Sequence, residues 1–144
     1  TDITAQGMGT TMTVAYVQPN GGVTIAHVGD SRAYMLRDER LHQLTDDHSW
    51  IAEQLKAGAI SEAEAKSSKF RHVITKSIGF ERDIEADTRS VPVSAGDCFL
   101  LCSDGLSDMV DDMSVAQVVG DAVFDEQHDR PGVGFHVRVW ATDL

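Results

Sequence analysis

The sequence predicts an α+β protein built on antiparallel sheets. Runs of β-branched and apolar residues fill the first 45 positions and return after position 84. Helical patterns lie between these runs and again after them. This order of strands, helices, strands and helix favours antiparallel sheets with segregated helices over a parallel, doubly wound sheet.

The first 45 residues read as four strands joined by short connections. The second strand follows the turn signal of residues 19–22 (PNGG), because Asn and Gly tolerate positive φ. The predicted strands cover residues 11–17, 23–28, 32–37 and 41–45. Connections of hairpin length predict that they form an antiparallel meander.

The middle of the chain is predicted to be helical. Thr45 or Asp46 is expected to cap a first helix that stops at Gly58. Its apolar face would consist of Trp50, Ile51 and Leu55. A second helix begins at Ser61, because Glu64 stands three residues later at the spacing of a capping box. Residues 72–78 are expected to form a third, short helix ending at Gly79.

The remaining predicted elements are two strands, a helical turn and a last helix. The strands are predicted at residues 84–91 and 97–102, a helical turn at 106–110, and a last helix capped by Ser114. Cys98 and Cys102 lie four apart on one predicted strand, too far to bridge, so we expect buried thiols, as suits a reducing compartment.

Composition narrows the classes of function. The 144 residues fit one domain, with 42% hydrophobic residues and a net charge of -11. An acidic surface repels phosphate backbones, so nucleic acid is not an expected partner. No apolar run reaches the roughly 20 residues needed to cross a bilayer, so no membrane partner is expected.

Two loops that each carry an aspartate are the candidate metal-binding segments of the chain. Asp30 follows the apolar strand of residues 25–29, and Asp104 follows that of residues 99–103. Carboxylates at the ends of buried strands are held rigidly, as hard divalent cations require. From the residues alone an alternative stays open, in which Gly-Asp and Asp-Gly merely form turns.

Other polar residues are expected to be structural. The six histidines show no metal-ligand spacing, and we expect a satisfied core imidazole for His27 and a capping or loop-orienting role for His48. Ser31 and Ser103 lack a G-x-S-x-G elbow, which argues against a serine hydrolase. Arg32 is expected to brace the Asp30 loop through a carboxylate.

Five segments carry a resemblance to a known family. They are residues 7–11 (GMGTT), 27–34 (HVGDSRAY), 44–49 (LTDDHS), 74–79 (ITKSIG) and 97–106 (DCFLLCSDGL). In this order and at these spacings, the chain resembles the PPM family, the metal-dependent phosphatases similar to protein phosphatase 2C. Its short inserts fit the bacterial branch.

The resemblance implies a fold, a reaction and roles for single residues. It implies an antiparallel β-sandwich flanked by helices, which holds two or three Mg²⁺ or Mn²⁺ ions when complete. Asp104 would be a core metal ligand, and Asp30 would hold a third, weaker metal with it. Residues 46–71 would form a flap that affects substrate choice. Water activated by the metals would hydrolyse phosphoserine or phosphothreonine without a covalent phosphoenzyme.

The same resemblance implies a setting for the protein. The partners would be protein substrates phosphorylated by a Ser/Thr kinase, in the cytoplasm, and the full-length protein would be a monomer. An alternative is a catalytically inactive, phosphatase-like regulatory or binding domain.

The departures from the family pattern lead to a further expectation. Residues 1–144 would be a partial phosphatase domain that starts after the family's first metal-binding loop. Asp129 lies near the position of another ligand, but Arg130 and Pro131 break the pattern, so that role is not carried over. The tail from about residue 132 is atypical, either a divergent final strand or a frame error. We expect the isolated chain to have little activity and marginal stability.

Overall fold

Seven strands and four helices make up the computed structural model, which describes residues 7–19, 21–80, 82–129 and 136–140. The strands are β1 (Met12–Val17), β2 (Gly22–Val28), β3 (Arg32–Arg37), β4 (Arg40–Gln43), β5 (Asp87–Pro92), β6 (Cys98–Cys102) and β7 (His136–Trp140). The helices are α1 (Trp50–Lys56), α2 (Glu62–Ser67), α3 (Asp104–Ser107) and α4 (Asp112–Asp129).

The strands form two sheets. One has three strands in the order β1-β2-β5, and the other has four in the order β4-β3-β6-β7. The chain therefore changes sheet between β2 and β3, so the prediction of a single meander was wrong. Gly29, at a φ of 112°, lies in that crossing, where its positive φ takes the chain out of β2.

The two sheets pack face to face around the main core, which confirms the predicted fold class. Side chains of β2 meet side chains of β3 and β6 there: Val23, Ile25, Ala33, Met35, Phe99 and Leu101. Pairs within each sheet are antiparallel, except that β7 runs parallel to β6.

The four-stranded sheet buries its second face as well. Tyr34 of β3, Leu100 and Cys102 of β6 and Val115 of α4 form a separate apolar cluster. All five residues of β6 are buried, which explains why this strand reads as a continuous apolar run. Cys98 and Cys102 are both buried thiols, as predicted.

Helix α1 begins later than predicted. Its N-cap is Ser49, whose hydroxyl accepts a hydrogen bond from the N–H of Ala52. Thr45 cannot take this role, because it is buried and its hydroxyl accepts from the N–H of Ala33. Gly58 has a φ of 68° just after the C-cap, which agrees with the predicted stop. The capping box of α2 between Ser61 and Glu64 is confirmed.

The predicted helix at residues 72–78 was wrong. Its backbone groups bond to other segments: the N–H of Trp50 donates to the carbonyl of Val73, and Ile78 and Thr10 exchange both of their bonds. Isolated bridges also join Ile74 to Ser49. Long-range partners replace the local bonds that a helix would need.

Boundaries in the second half also shift. Strand β5 starts at Asp87, not 84, and α3 starts at Asp104, not 106. Helix α4 starts at Asp112, because Asp111 accepts from both the N–H and the hydroxyl of Ser114, which was predicted to be the cap. Within the atypical tail, residues 136–140 form β7, while 130–135 and 141–144 lie outside the described residues. In the part of the chain that is described, no helix has the length and apolarity to cross a membrane.

Truncating the sandwich core should destabilise the protein measurably. Val23 is 0% exposed, so Val23→Ala should lower the free energy of unfolding by about 2 kcal/mol through lost burial and a cavity. Val118, 65% exposed on α4, provides the control, and Val118→Ala should change it by less than about 0.5 kcal/mol. Urea denaturation measures both. Equal effects would contradict the packing described above.

Candidate metal centre

The end of β6 positions Asp104. This buried strand leads through Ser103 into the short helix α3, so Asp104 stands exposed in its first turn. Asp108 is the C-cap residue of the same helix, four residues on, and its N–H donates to the carbonyl of Asp104. One helical turn therefore presents both carboxylates together.

A histidine from a distant segment completes this group. Donor atoms of His72, Asp104 and Asp108 all lie within 4.8 Å of one another. Nδ1 of His72 is 3.9 Å from Oδ2 of Asp108. All three side chains are exposed, so the group is open to ions from solvent.

Asp30 stands at the edge of the same negative region, although it is not in that group. Burial raises the pKa of its carboxyl above the ordinary value, and the negative charge of Asp104 raises it further. Asp47 and Asp108 act in the same direction. Carboxylates that raise the pKa of a neighbour in this way suit a divalent cation, which would offset their repulsion.

Close packing against Thr11 and the start of β1 shapes the Asp30 loop. A Cβ on Gly29 would stand 2.3 Å from Cγ2 of Thr11. The hydroxyl of Thr11 is 2.8 Å from that of Ser31, and the hydroxyl of Thr13 donates to the Ser31 carbonyl at 3.2 Å. The loop that carries Asp30 is therefore held on both sides.

Arg32 pairs with Asp47 rather than with Asp30. Its guanidinium reaches both carboxylate oxygens, at 2.8 Å and 2.6 Å, and also donates to the Tyr34 hydroxyl at 3.1 Å. The hydrogen bonds to Asp47 raise the pKa of Arg32. This bidentate pair joins the start of β3 to the segment after β4, which is the bracing through a carboxylate that the sequence predicted.

His48 orients the Asp30 loop, as predicted. Its Nδ1 accepts from the N–H of Gly29 at 3.0 Å, so the ring proton sits on Nε2 and is donated to Asp87 at 3.1 Å. Lys76 also donates to Asp87, at 2.8 Å. Asp87 thus fixes the tautomer of the imidazole that holds the backbone next to Asp30.

His27 is a core residue, although its ring is only half satisfied. It is 2% exposed and stacks on His48 with ring centroids 4.9 Å apart. Nδ1 lies 2.9 Å from the Thr13 hydroxyl, while Nε2 has no hydrogen-bond partner among the described residues. Burial lowers its pKa, and so does the neighbouring His48.

The hydrogen bonds to Asp87 should make the free energy of unfolding depend on pH in the acidic range. Hydrogen bonds from Lys76 and then His48 lower the pKa of Asp87 to about 2. Because the folded-state pKa is depressed, the stabilisation is present above the unfolded value of about 3.9 and is lost as pH falls towards 2. The free energy of unfolding should therefore fall less between pH 4 and pH 2 in Asp87→Asn than in the wild type. Equal slopes in urea titrations would contradict this.

A groove shares one residue with the acidic group. It has a volume of about 610 Å³ and lies between residues 9–11 and the segment of residues 72–80. Hydroxyls of Thr10, Thr11, Thr75 and Ser77 line it, together with Ile74 and Phe80. His72 lines it as well and belongs to the acidic group, so the groove and the acidic group share this side chain.

Sequence reasoning missed two members of this site. Asp108 could have been predicted from the sequence, because it follows Asp104 at the i, i+4 spacing that puts two side chains on one helix face. No sequence pattern points to His72, since it lies 32 positions before Asp104 and within a predicted helix that does not form.

Comparisons with known proteins give the family. The family model described as "Protein phosphatase 2C" matches residues 1–131. The serine/threonine phosphatase stp of Listeria monocytogenes serotype 4b is 42% identical over 113 residues, which is 78% of this chain and 44% of that protein. Protein phosphatase PhpP of Streptococcus pneumoniae serotype 2 is 41% identical over 114 residues, 79% of this chain and 46% of that protein.

Solved structures agree. The Mycobacterium tuberculosis serine/threonine phosphatase PstP/Ppp superposes with a TM-score of 0.75 at 34% identity, covering 86% of this chain and 52% of that one. The catalytic domain of PstP in complex with two manganese ions superposes with a TM-score of 0.70 at 31% identity, covering 83% and 52%. The chain spans about half the length of the relatives it matches. Its motifs, fold and sequence relatives agree that this chain belongs to the protein phosphatase 2C family of metal-dependent phosphatases.

Proposed function

We propose that this chain is part of a metal-dependent phosphatase that hydrolyses phosphoserine and phosphothreonine in proteins. One observation carries the proposal: the buried strand β6 ends in a turn that presents Asp104 and Asp108 together, with ligand atoms within 4.8 Å of each other and of His72. Asp30 adds to this crowding, because burial raises the pKa of its carboxyl and the charge of Asp104 raises it further. Such crowding costs free energy in the absence of a cation, so it supports a built metal site.

Asp104 and Asp30 are the residues we propose as ligands, with Asp108 beside them. Carboxylate oxygens on rigid strand ends suit Mg²⁺ or Mn²⁺. Bound divalent ions would activate water for attack on phosphorus and neutralise charge on the phosphoryl group. The chain itself holds the Asp30 loop in place through Gly29, Thr11 and His48.

The groove is the proposed binding surface for the substrate chain. Its hydroxyls can hydrogen-bond to an extended peptide, and Ile74 and Phe80 offer apolar contact. Residues 46–71, which contain α1 and α2, are the proposed flap. We further propose that the protein acts in the cytoplasm, as a monomer, on substrates of a Ser/Thr kinase.

A chimera tests the function without requiring this chain to act alone. The part of this chain that aligns with the Listeria monocytogenes phosphatase stp, 78% of it, would replace the matching 113 residues of that protein. We expect the chimera to hydrolyse a phosphothreonine peptide when Mn²⁺ is supplied and to lose activity with EDTA. A chimera that folds, as judged by circular dichroism, but shows no Mn²⁺-dependent hydrolysis would overturn the proposal.

A further inference from the structure

The segment that follows the proposed flap ends beside the acidic loop after β6. We propose that His72 is itself a metal ligand there, and that with Asp104 and Asp108 it forms a mixed nitrogen–oxygen site that takes Mn²⁺, Co²⁺ or Zn²⁺ in preference to Mg²⁺. This inference deepens the proposed function and rests on it, since Asp104 is shared.

The distances suit a shared ion. Metal–ligand bonds of about 2.1 Å place neighbouring donors about 3 Å apart and opposite donors about 4.2 Å apart. The distance of 3.9 Å between Nδ1 of His72 and Oδ2 of Asp108 lies in that range. All three donor atoms lie within 4.8 Å of one another, so a small movement of the side chains towards each other would let one ion bind all three. Exposed side chains at loop and helix ends can supply it.

The donor set decides which ion is preferred. Mg²⁺ binds oxygen ligands and keeps its waters, whereas imidazole nitrogen suits later divalent ions. A site of two carboxylates and one imidazole therefore discriminates against Mg²⁺. With His72 removed, the remaining carboxylates would bind Mg²⁺ and Mn²⁺ more evenly.

Metal binding at His72 requires one rearrangement. Nε of Arg71 now donates to Nε2 of His72 at 2.8 Å, which puts the ring proton on Nδ1, the nitrogen that faces Asp108. Ligation through Nδ1 moves that proton to Nε2, so the Arg71 side chain must turn away. Arg71 is exposed, so nothing buried has to be broken.

The site would also tie two parts of the chain together. The segment after His72 is bonded to α1: Val73 accepts from the N–H of Trp50, and the hydroxyl of Thr75 donates to Glu53 at 2.6 Å. Asp104 and Asp108 belong instead to the loop after β6. An ion held by His72 would therefore fix the end of the flap over the acidic loop.

Electron spin echo envelope modulation of Mn²⁺ bound to the 144-residue chain tests the ligand directly. We expect ¹⁴N coupling from a bound imidazole in the wild type, its loss in His72→Ala, and its retention in His42→Ala, an exposed histidine on β4. Mn²⁺ bound without ¹⁴N coupling, or coupling that survives His72→Ala, would overturn the inference. The hydrolysis assay of the chimera decides the proposed function separately.

Competition between ions gives a second readout. The ratio of Mn²⁺ to Mg²⁺ affinity, measured by calorimetry, should fall about tenfold or more in His72→Ala, because the nitrogen ligand is gone. It should stay unchanged in His42→Ala. An unchanged ratio in His72→Ala would contradict a role for His72 in choosing the ion.

Discussion

Replacing Asp104 with Asn in the chimera should lower its Mn²⁺-dependent rate of peptide hydrolysis by about a hundredfold or more. Metal ions supply several kcal/mol of transition-state stabilisation, and each 1.36 kcal/mol corresponds to about tenfold in rate. Asp104 lies at the centre of the acidic group, next to Asp108 and His72 and close enough to Asp30 to act on its pKa. An amide keeps the shape of the side chain and removes its charge.

The control for this variant is Asp121→Asn, an exposed carboxylate on α4. Its rate should match that of the unmodified chimera. Circular dichroism should show the same fold in both variants, because Asp104 is exposed and contributes nothing to the core. If Asp104→Asn kept more than about a tenth of the rate, Asp104 would not be a core ligand.

The Gly29→Ala change should damage both stability and metal binding. The new methyl group would stand 2.3 Å from Cγ2 of Thr11 and 3.1 Å from its Cα, at a φ of 112° that L side chains rarely adopt. Backbone strain of this kind costs about 1–3 kcal/mol, and the contact with Thr11 adds to it. We expect a loss of about 3 kcal/mol in the free energy of unfolding, with weakened binding of Mn²⁺, since the Asp30 loop must move.

Gly96→Ala separates strain from contact. Gly96 also has a positive φ, of 91°, but no atom lies within 4 Å of the position of its Cβ. It should cost about 1 kcal/mol and leave binding of Mn²⁺ unchanged. Urea denaturation and calorimetry measure both quantities. Equal effects at the two glycines would mean that the packing of Gly29 on Thr11 does not shape the site.

Local patterns predicted the strands well, because alternation and turn residues act over a few positions. Predicted strands 23–28 and 32–37 lie within one residue of β2 and β3. The predictions were wrong where contacts between residues distant in sequence determine the structure. Thr45 did not cap α1 because Ala33, across the sheet, uses its hydroxyl. The predicted meander failed because no local signal says that the chain changes sheet at Gly29.

The residues of the candidate site likewise include some that local patterns predicted and some that only distant contacts bring into place. Asp30 and Asp104 could be picked out as carboxylates that follow buried strands, and the resemblance to a family proposed roles for them. Asp108 was within reach of a helix-spacing argument. His72 could not be found, because the segment that carries it is placed by backbone bonds to residues near 10 and 50.

Calorimetric titration of the 144-residue chain with Mn²⁺, in wild type, Asp104→Asn and Asp121→Asn, tests the central claim most directly. The account predicts a saturable site in the wild type and in Asp121→Asn, and an affinity at least about tenfold weaker in Asp104→Asn. Thermal melting monitored by circular dichroism checks that all three are folded. Equal affinity in all three proteins would contradict the account, because the acidic loops after β2 and β6 would then not form a metal centre.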